Sequence, residues 1–198
     1  DIFTCPYCKD SGYVNGKRCI CFNKKAIDLI YKDSNLKNIT ADENFNTFSL
    51  SWYNNTDVDP ATGLTPYINM QKVCHDFVDN FDNTFSNLLF IGQTGVGKTF
   101  LSNCIARALM DSCHSIIYLT AGEFFDSFKS DDFKEFGSSK FDTSFFVECD
   151  LLIIDDLGTE KASDYNFSNL FNTINERLLR RKSIIISSNL EMPDIETR

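Results

Sequence analysis

The chain has 198 residues, 42% of them hydrophobic, enough for one sizeable domain plus a small module. Its 28 acidic and 19 basic residues give a formal net charge of −9, which argues against nucleic-acid binding through bulk charge. No apolar run approaches the roughly 20 residues needed to cross a bilayer. Eight cysteines without a visible secretory leader point to a reducing, cytoplasmic setting and away from disulfides.

Residues 1–33 form the first predicted unit. Cys5-x-x-Cys8 and Cys19-x-Cys21 supply four thiols, and ten intervening residues allow a compact loop. Four thiolates suit tetrahedral Zn²⁺ in a closed, structural site. An Fe–S cluster or free thiols are the alternatives. Gly12 and Gly16 suit the turns, and Lys9, Lys17, Arg18, Lys24 and Lys25 offset the negative charge of such a centre. A short amphipathic helix is expected at about 24–33. Residues 34–65 read as a polar linker anchored by Phe45, Phe48, Trp52 and Tyr53.

Thr65-Pro66 is a helix start: a capping hydroxyl, then proline at the first helical position. Met70, Val73, Cys74, Phe77, Val78 and Phe81 follow at helical spacing. An apolar strand at about 87–91 leads into Gly92-Gln93-Thr94-Gly95-Val96-Gly97-Lys98-Thr99, which fits G-x-x-x-x-G-K-[ST]. A helix is expected at about 98–111. Strand, glycine-rich loop and helix N-terminus together make a phosphate cradle. Lys98 would reach the β- and γ-phosphates of ATP, or the β-phosphate of ADP, and the Thr99 hydroxyl would bind Mg²⁺. Phe100 completes the expected nucleotide-binding set.

Buried strands are expected at Ser115–Leu119, Leu151–Ile154 and Ile184–Ile186. Between the first two, residues 121–147 combine phenylalanines with lysines. Base stacking is one use for them, and core packing is the plainer one. Leu151–Ile154 leads into Asp155-Asp156, a Walker B arrangement. Asp155 would share Mg²⁺ with Thr99, and Asp156 would polarise the attacking water. Ser163 can cap a helix carrying Phe167, Leu170, Phe171, Ile174 and Leu178. Asn189, just past the last strand, is placed to sense the γ-phosphate. The catalytic set is therefore Lys98, Asp156 and Asn189. Apolar strands alternating with helices predict an α/β fold, a three-layer αβα parallel sheet.

The residues that carry a family resemblance are Cys-Pro-Tyr-Cys and Cys-Ile-Cys near the start, Glu43–Phe48, Gly92–Thr99, LLIIDDLGTE at 151–160, and NERLLRRKSIIISSN at 175–189. With these the chain resembles the bacterial replicative helicase loaders of the DnaC/DnaI type, AAA+ members of the P-loop NTPases. The resemblance implies ATPase activity, association with the hexameric replicative helicase and with single-stranded DNA, and self-association through the AAA+ interface. No membrane partner is implied. It places adenine near Phe48, DNA near 121–147 and helicase contact at the zinc-containing region. The expected ATPase core, 66–198, would continue past Arg198 to an arginine finger and a second sensor. Two other readings stay open: a transposition helper ATPase of the IstB kind, not expected to carry the cysteine module, and an ATP-gated adaptor with negligible hydrolysis. A small-molecule P-loop kinase is a minor fourth.

Overall fold

The computed structural model describes residues 3–19, 21–22, 42–53, 58, 60–61, 63–112, 114–129, 143–158 and 163–190. The helix expected at 24–33 and most of the lysine-rich part of 121–147 lie outside them.

Two strands of two residues, β1 (Tyr13–Val14) and β2 (Lys17–Arg18), pair antiparallel in the cysteine-rich unit. A 3-10 turn at Leu50–Trp52 precedes α1 (Pro66–Asp79). The Thr65 hydroxyl accepts the Ile68 N–H at 3.4 Å, and Pro66 occupies the first turn, where its missing N–H costs nothing. Then follow β3 (Leu88–Ile91), α2 (Lys98–Asp111), β4 (Ile116–Thr120), α3 (Ala121–Lys129), α4 (Phe145–Glu148), β5 (Leu151–Leu157), α5 (Asp164–Leu179) and β6 (Ser183–Ser188). Ser163 caps α5 through the Asn166 N–H at 3.1 Å.

The four long strands form one parallel sheet in the order β3-β6-β5-β4. The chain runs from β3 to the far edge at β4 and then returns. The last strand is thereby inserted between the first and third. Its C-terminus comes to lie between the phosphate loop after β3 and the acids of β5.

Side chains alternate across the sheet, as a period of two requires. Ile116, Tyr118, Leu151, Ile153 and Ile185 join Cys74, Phe77, Leu101, Ile105 and Leu109 from α1 and α2 in one core. Ile117, Leu152, Ile154 and Ile184 join Phe124, Phe125, Phe146 and Cys149 in a second. Both faces are covered, which gives the three layers. Each buried Leu or Ile contributes about 1.5–3 kcal/mol. Phe124, Phe125 and Phe146 are thus core residues, which leaves them no surface for base stacking.

Two features differ from the sequence expectation. Strand β5 does not stop before its acids. It runs to Leu157, with one extra residue between Ile154, opposite Ile186, and Leu157, opposite Ser188. Helix α5 turns Leu170, Thr173, Ile174 and Arg177 toward the protein, while Phe167 and Phe171 are 57% and 53% exposed. Hydrophobicity alone did not mark its buried face, because a charged residue completes it.

Arg177 is fully buried. Its Nη1 donates to Phe146 O at 2.6 Å and Cys149 O at 3.1 Å. Its Nη2 donates to Asp150 O at 3.1 Å and Ser183 O at 2.5 Å. One guanidinium thereby ties α5 to α4 and to the starts of β5 and β6. Beside it, Asp150 accepts from Ser115 N, Ser115 Oγ and Lys182 Nζ at 2.9, 2.6 and 2.7 Å.

Candidate functional site

The loop Gly92–Gly97 leaves β3 with Gly92, Gly95 and Gly97 at φ of 155°, 86° and 94°. These values favour glycine, because a Cβ there is strained. At Gly97 a Cβ would also run into the Tyr53 hydroxyl. Gly97 serves as N-cap of α2 and has no side chain to bond the first turn. The leading N–H groups of the helix and its positive dipole end therefore face the loop, an arrangement that favours phosphate.

Lys98 is buried, and its three ammonium hydrogens have three acceptors: Gly92 O at 2.7 Å, Gln93 O at 3.0 Å and Asn189 Oδ1 at 2.6 Å. Asn189 Nδ2 in turn donates to Asp156 Oδ1 at 3.3 Å. Thr99 Oγ1 donates to Asp155 Oδ2 at 2.9 Å. Lys98, Thr99, Asp155, Asp156 and Asn189 are thus linked at the C-terminal edge of the sheet, where ligands of open α/β folds sit. The strand order explains why residues 91 positions apart can meet.

The extra residue in β5 falls at the two acids. Asp155 stays in register, opposite Thr120 of β4, whereas Asp156 takes φ of 57°. Asp is among the few residues that tolerate this left-handed region. Such a bulge re-aims a side chain. It turns the Asp156 carboxylate toward Asn189 and away from the core.

Two functional neighbours were missed in the sequence. Tyr118 OH donates to Asp155 Oδ2 at 2.7 Å, and Ser187 Oγ donates to Asp155 Oδ1. Burial and the adjacent Asp155 carboxylate push the Tyr118 pKa up, so it remains a proton donor. A tyrosine within Ile-Ile-Tyr-Leu and paired serines ending Ile-Ile-Ile were the available signals. Both put hydroxyls where an apolar strand end has no need of them.

Beside the loop lies a cleft of about 620 Å³ lined by Phe48, Tyr53, Tyr67, Val96, Gly97 and Phe100, among others. Tyr53 stacks on Tyr67 with centroids 4.0 Å apart, and its hydroxyl donates to Val96 O at 3.1 Å. Phe48 lies 5.8 Å from Phe100. The segment carrying Phe48 and Tyr53 is held locally. Asn44 Oδ1 accepts from Asn46 N and Thr47 N, Phe45 packs on His75 of α1, and Glu43 accepts from Asn103 of α2. An aromatic cleft abutting a phosphate cradle suits a purine base. Tyr53 and Tyr67 are additions to the residues expected from sequence.

The donor sets fit the metals expected. Thr99 and Asp155 provide hard oxygens of the kind Mg²⁺ selects. The Sγ atoms of Cys5, Cys8, Cys19 and Cys21 all lie within 4.8 Å of one another, with Cys5–Cys19 at 3.8 Å and Cys8–Cys21 at 3.2 Å. Zn–S bonds of about 2.3 Å imply tetrahedron edges of about 3.8 Å. Burial opposes ionisation of Cys8, but hydrogen bonds from Cys21 and the Gly12 backbone hold its pKa below the ordinary 9.0. The contacts with Cys8 push Cys21 and Cys19 up, as expected where clustered thiols share one thiolate. Asp10 braces this knuckle by accepting Cys5 N at 2.8 Å and Thr4 N at 3.0 Å. Among the described residues no other group of three or more such side chains could hold a metal ion. No helix of the described residues is long and apolar enough to cross a membrane.

Sheet order, phosphate loop and acids define a P-loop ATPase fold of the AAA+ type. The family described as IstB-like ATP binding protein matches residues 54–197, and the chain belongs to it. It is 26% identical over 202 residues to the phage-like element PBSX protein XkdC of Bacillus subtilis (strain 168), covering 95% of this chain and 72% of that protein. It is 24% identical over 127 residues to the replicative helicase loader DnaC of Escherichia coli (strain K12), covering 63% of this chain and 51% of DnaC. The match thus spans about half the length of that loader. Among solved structures, AMPPCP-bound DnaA from Aquifex aeolicus aligns with a TM-score of 0.62 at 18% identity, over 80% of this chain and 45% of that one. The DnaC helicase loader aligns with a TM-score of 0.59 at 21% identity, over 81% and 85%. These two likenesses concern the fold.

Proposed function

We propose that this chain binds and slowly hydrolyses ATP and uses the nucleotide to load a hexameric replicative helicase onto single-stranded DNA. The observation that carries the ATPase part is the bonded chain Lys98–Asn189–Asp156 beside Thr99–Asp155. Lys98 and the first N–H groups of α2 hold the phosphates. Thr99 and Asp155 would hold Mg²⁺, which when bound neutralises charge on the phosphates. Asp156 orients the attacking water, and Asn189 fixes both Asp156 and the Lys98 ammonium. Phe48, Phe100, Tyr53 and Tyr67 enclose the base.

The loader part rests on the likeness to DnaC and on the four-cysteine cluster, which supports a separate helicase-contacting module at residues 1–33. Residues 34–65 join it to the ATPase core from 66 onward. The test is capture of the cognate replicative helicase with and without ATP, repeated with Lys98→Ala and Cys5→Ser. ATP-stimulated capture that both substitutions weaken is expected. Capture indifferent to both would refute the proposal.

A further inference from the structure

We infer that Tyr118 and Ser187 are positioning residues for the metal-bound nucleotide, acting through Asp155; this rests on the ATP-binding function proposed above. Three hydroxyls from three elements converge on one carboxylate. Thr99 of α2 and Tyr118 of β4 donate to Oδ2 at 2.9 and 2.7 Å. Ser187 of β6 donates to Oδ1 and accepts the Asp156 N–H at 2.9 Å. An ionised carboxylate has about four acceptor positions, so three are already committed.

Each hydroxyl has a distinct geometric consequence. Tyr118 is fixed by its ring, which is buried in the core beneath α1 and α2. Its hydroxyl therefore holds Asp155 Oδ2 from the edge-strand side. With Oδ2 held, the Thr99 proton is directed at Asp155, and the lone pairs of Thr99 Oγ1 are left for the metal. Ser187 fixes the other oxygen and, through the Asp156 N–H, couples the orientation of Asp155 to the bulge that aims Asp156. A tyrosine needed only for packing would be replaceable by phenylalanine at the cost of its own hydrogen bond. A positioning tyrosine would change how the site uses metal.

The experiment is binding of a fluorescent ATP analogue to the full chain, titrated with Mg²⁺ and compared with binding in EDTA. For Tyr118→Phe we expect unchanged affinity in EDTA and a Mg²⁺ half-saturation raised by about tenfold or more, the usual cost of losing an outer-shell partner. Ser187→Ala should shift the same curve in the same direction. An unshifted Mg²⁺ curve in Tyr118→Phe, or a loss equal with and without Mg²⁺, overturns the inference. Should Tyr118→Phe not yield folded protein, an unshifted curve in Ser187→Ala overturns it instead. Wild-type chain that binds no nucleotide would sink the ATP-binding function itself, a separate result.

Discussion

Asn189 Oδ1 accepts the Lys98 ammonium at 2.6 Å while its Nδ2 donates to Asp156 at 3.3 Å, so one amide joins the phosphate loop to the second acid of β5. The amide puts its acceptor oxygen and its donor nitrogen on separate atoms, one for each partner. Asn189→Ala should lower the ATP turnover rate by about 10²-fold, the scale of losing one preorganised polar group. ATP affinity should fall far less. Single-turnover hydrolysis alongside equilibrium binding measures both.

Lys98 carries the charge that the phosphates would meet. Hydrogen bonds to charged groups contribute about 1.5–3 kcal/mol, so Lys98→Ala should weaken ATP binding by about 10- to 100-fold. Isothermal titration with ATP checks this. Asp156→Asn should leave affinity nearly intact and stop hydrolysis. If Asp156→Asn still supports helicase loading, nucleotide acts there as a switch without turnover.

Arg177 makes its contribution to stability, at the starts of β5 and β6, the opposite end of the strands from Asp155 and Asn189. Arg177→Met keeps the stem but leaves the carbonyls of Phe146, Cys149, Asp150 and Ser183 without this donor. The expected loss is about 3 kcal/mol, read as a lowered urea midpoint.

Asp150 gives a pH signature. Burial opposes its ionisation, but hydrogen bonds from Lys182 and Ser115 outweigh this and hold its pKa below the ordinary 3.8. A carboxyl lowered in the folded state stabilises fully above its unfolded pKa and loses that stabilisation as pH falls through the folded one. The stability gap between wild type and Asp150→Asn should thus be flat from about pH 5 to 8 and shrink below about pH 4. Urea unfolding across that range measures it.

Zinc should be present at about one ion per chain, held by the four cysteines. Cys5→Ser should lose it, while ATP affinity, set by residues of the ATPase core, is retained. Elemental analysis and nucleotide titration of the same samples check both.

The phosphate loop and the cysteine module were legible in the sequence because their chemistry depends on local spacing. Apolar runs such as Leu151–Ile154 were legible because a doubly covered strand must be hydrophobic throughout. Asn189 was expected near the γ-phosphate from its place just past the last strand, but its direct bond to Lys98 follows from the strand order, which no local pattern encodes. The bulge at Asp155–Asp156 was hidden because two acids after an apolar run also read as a strand end. Arg177 was hidden for a related reason: it sits at the end of a helix among Arg180, Arg181 and Lys182, yet faces inward. Tyr118 resembled any core aromatic until the Asp155 oxygen was placed against its hydroxyl.

The most direct test of the account is transfer of the replicative hexameric helicase onto a closed circle of single-stranded DNA, with this chain as the sole loader. Wild type with ATP should place active helicase on the circle, and Lys98→Ala should not. Equal loading by wild type and Lys98→Ala, or none by wild type with ATP, would contradict it.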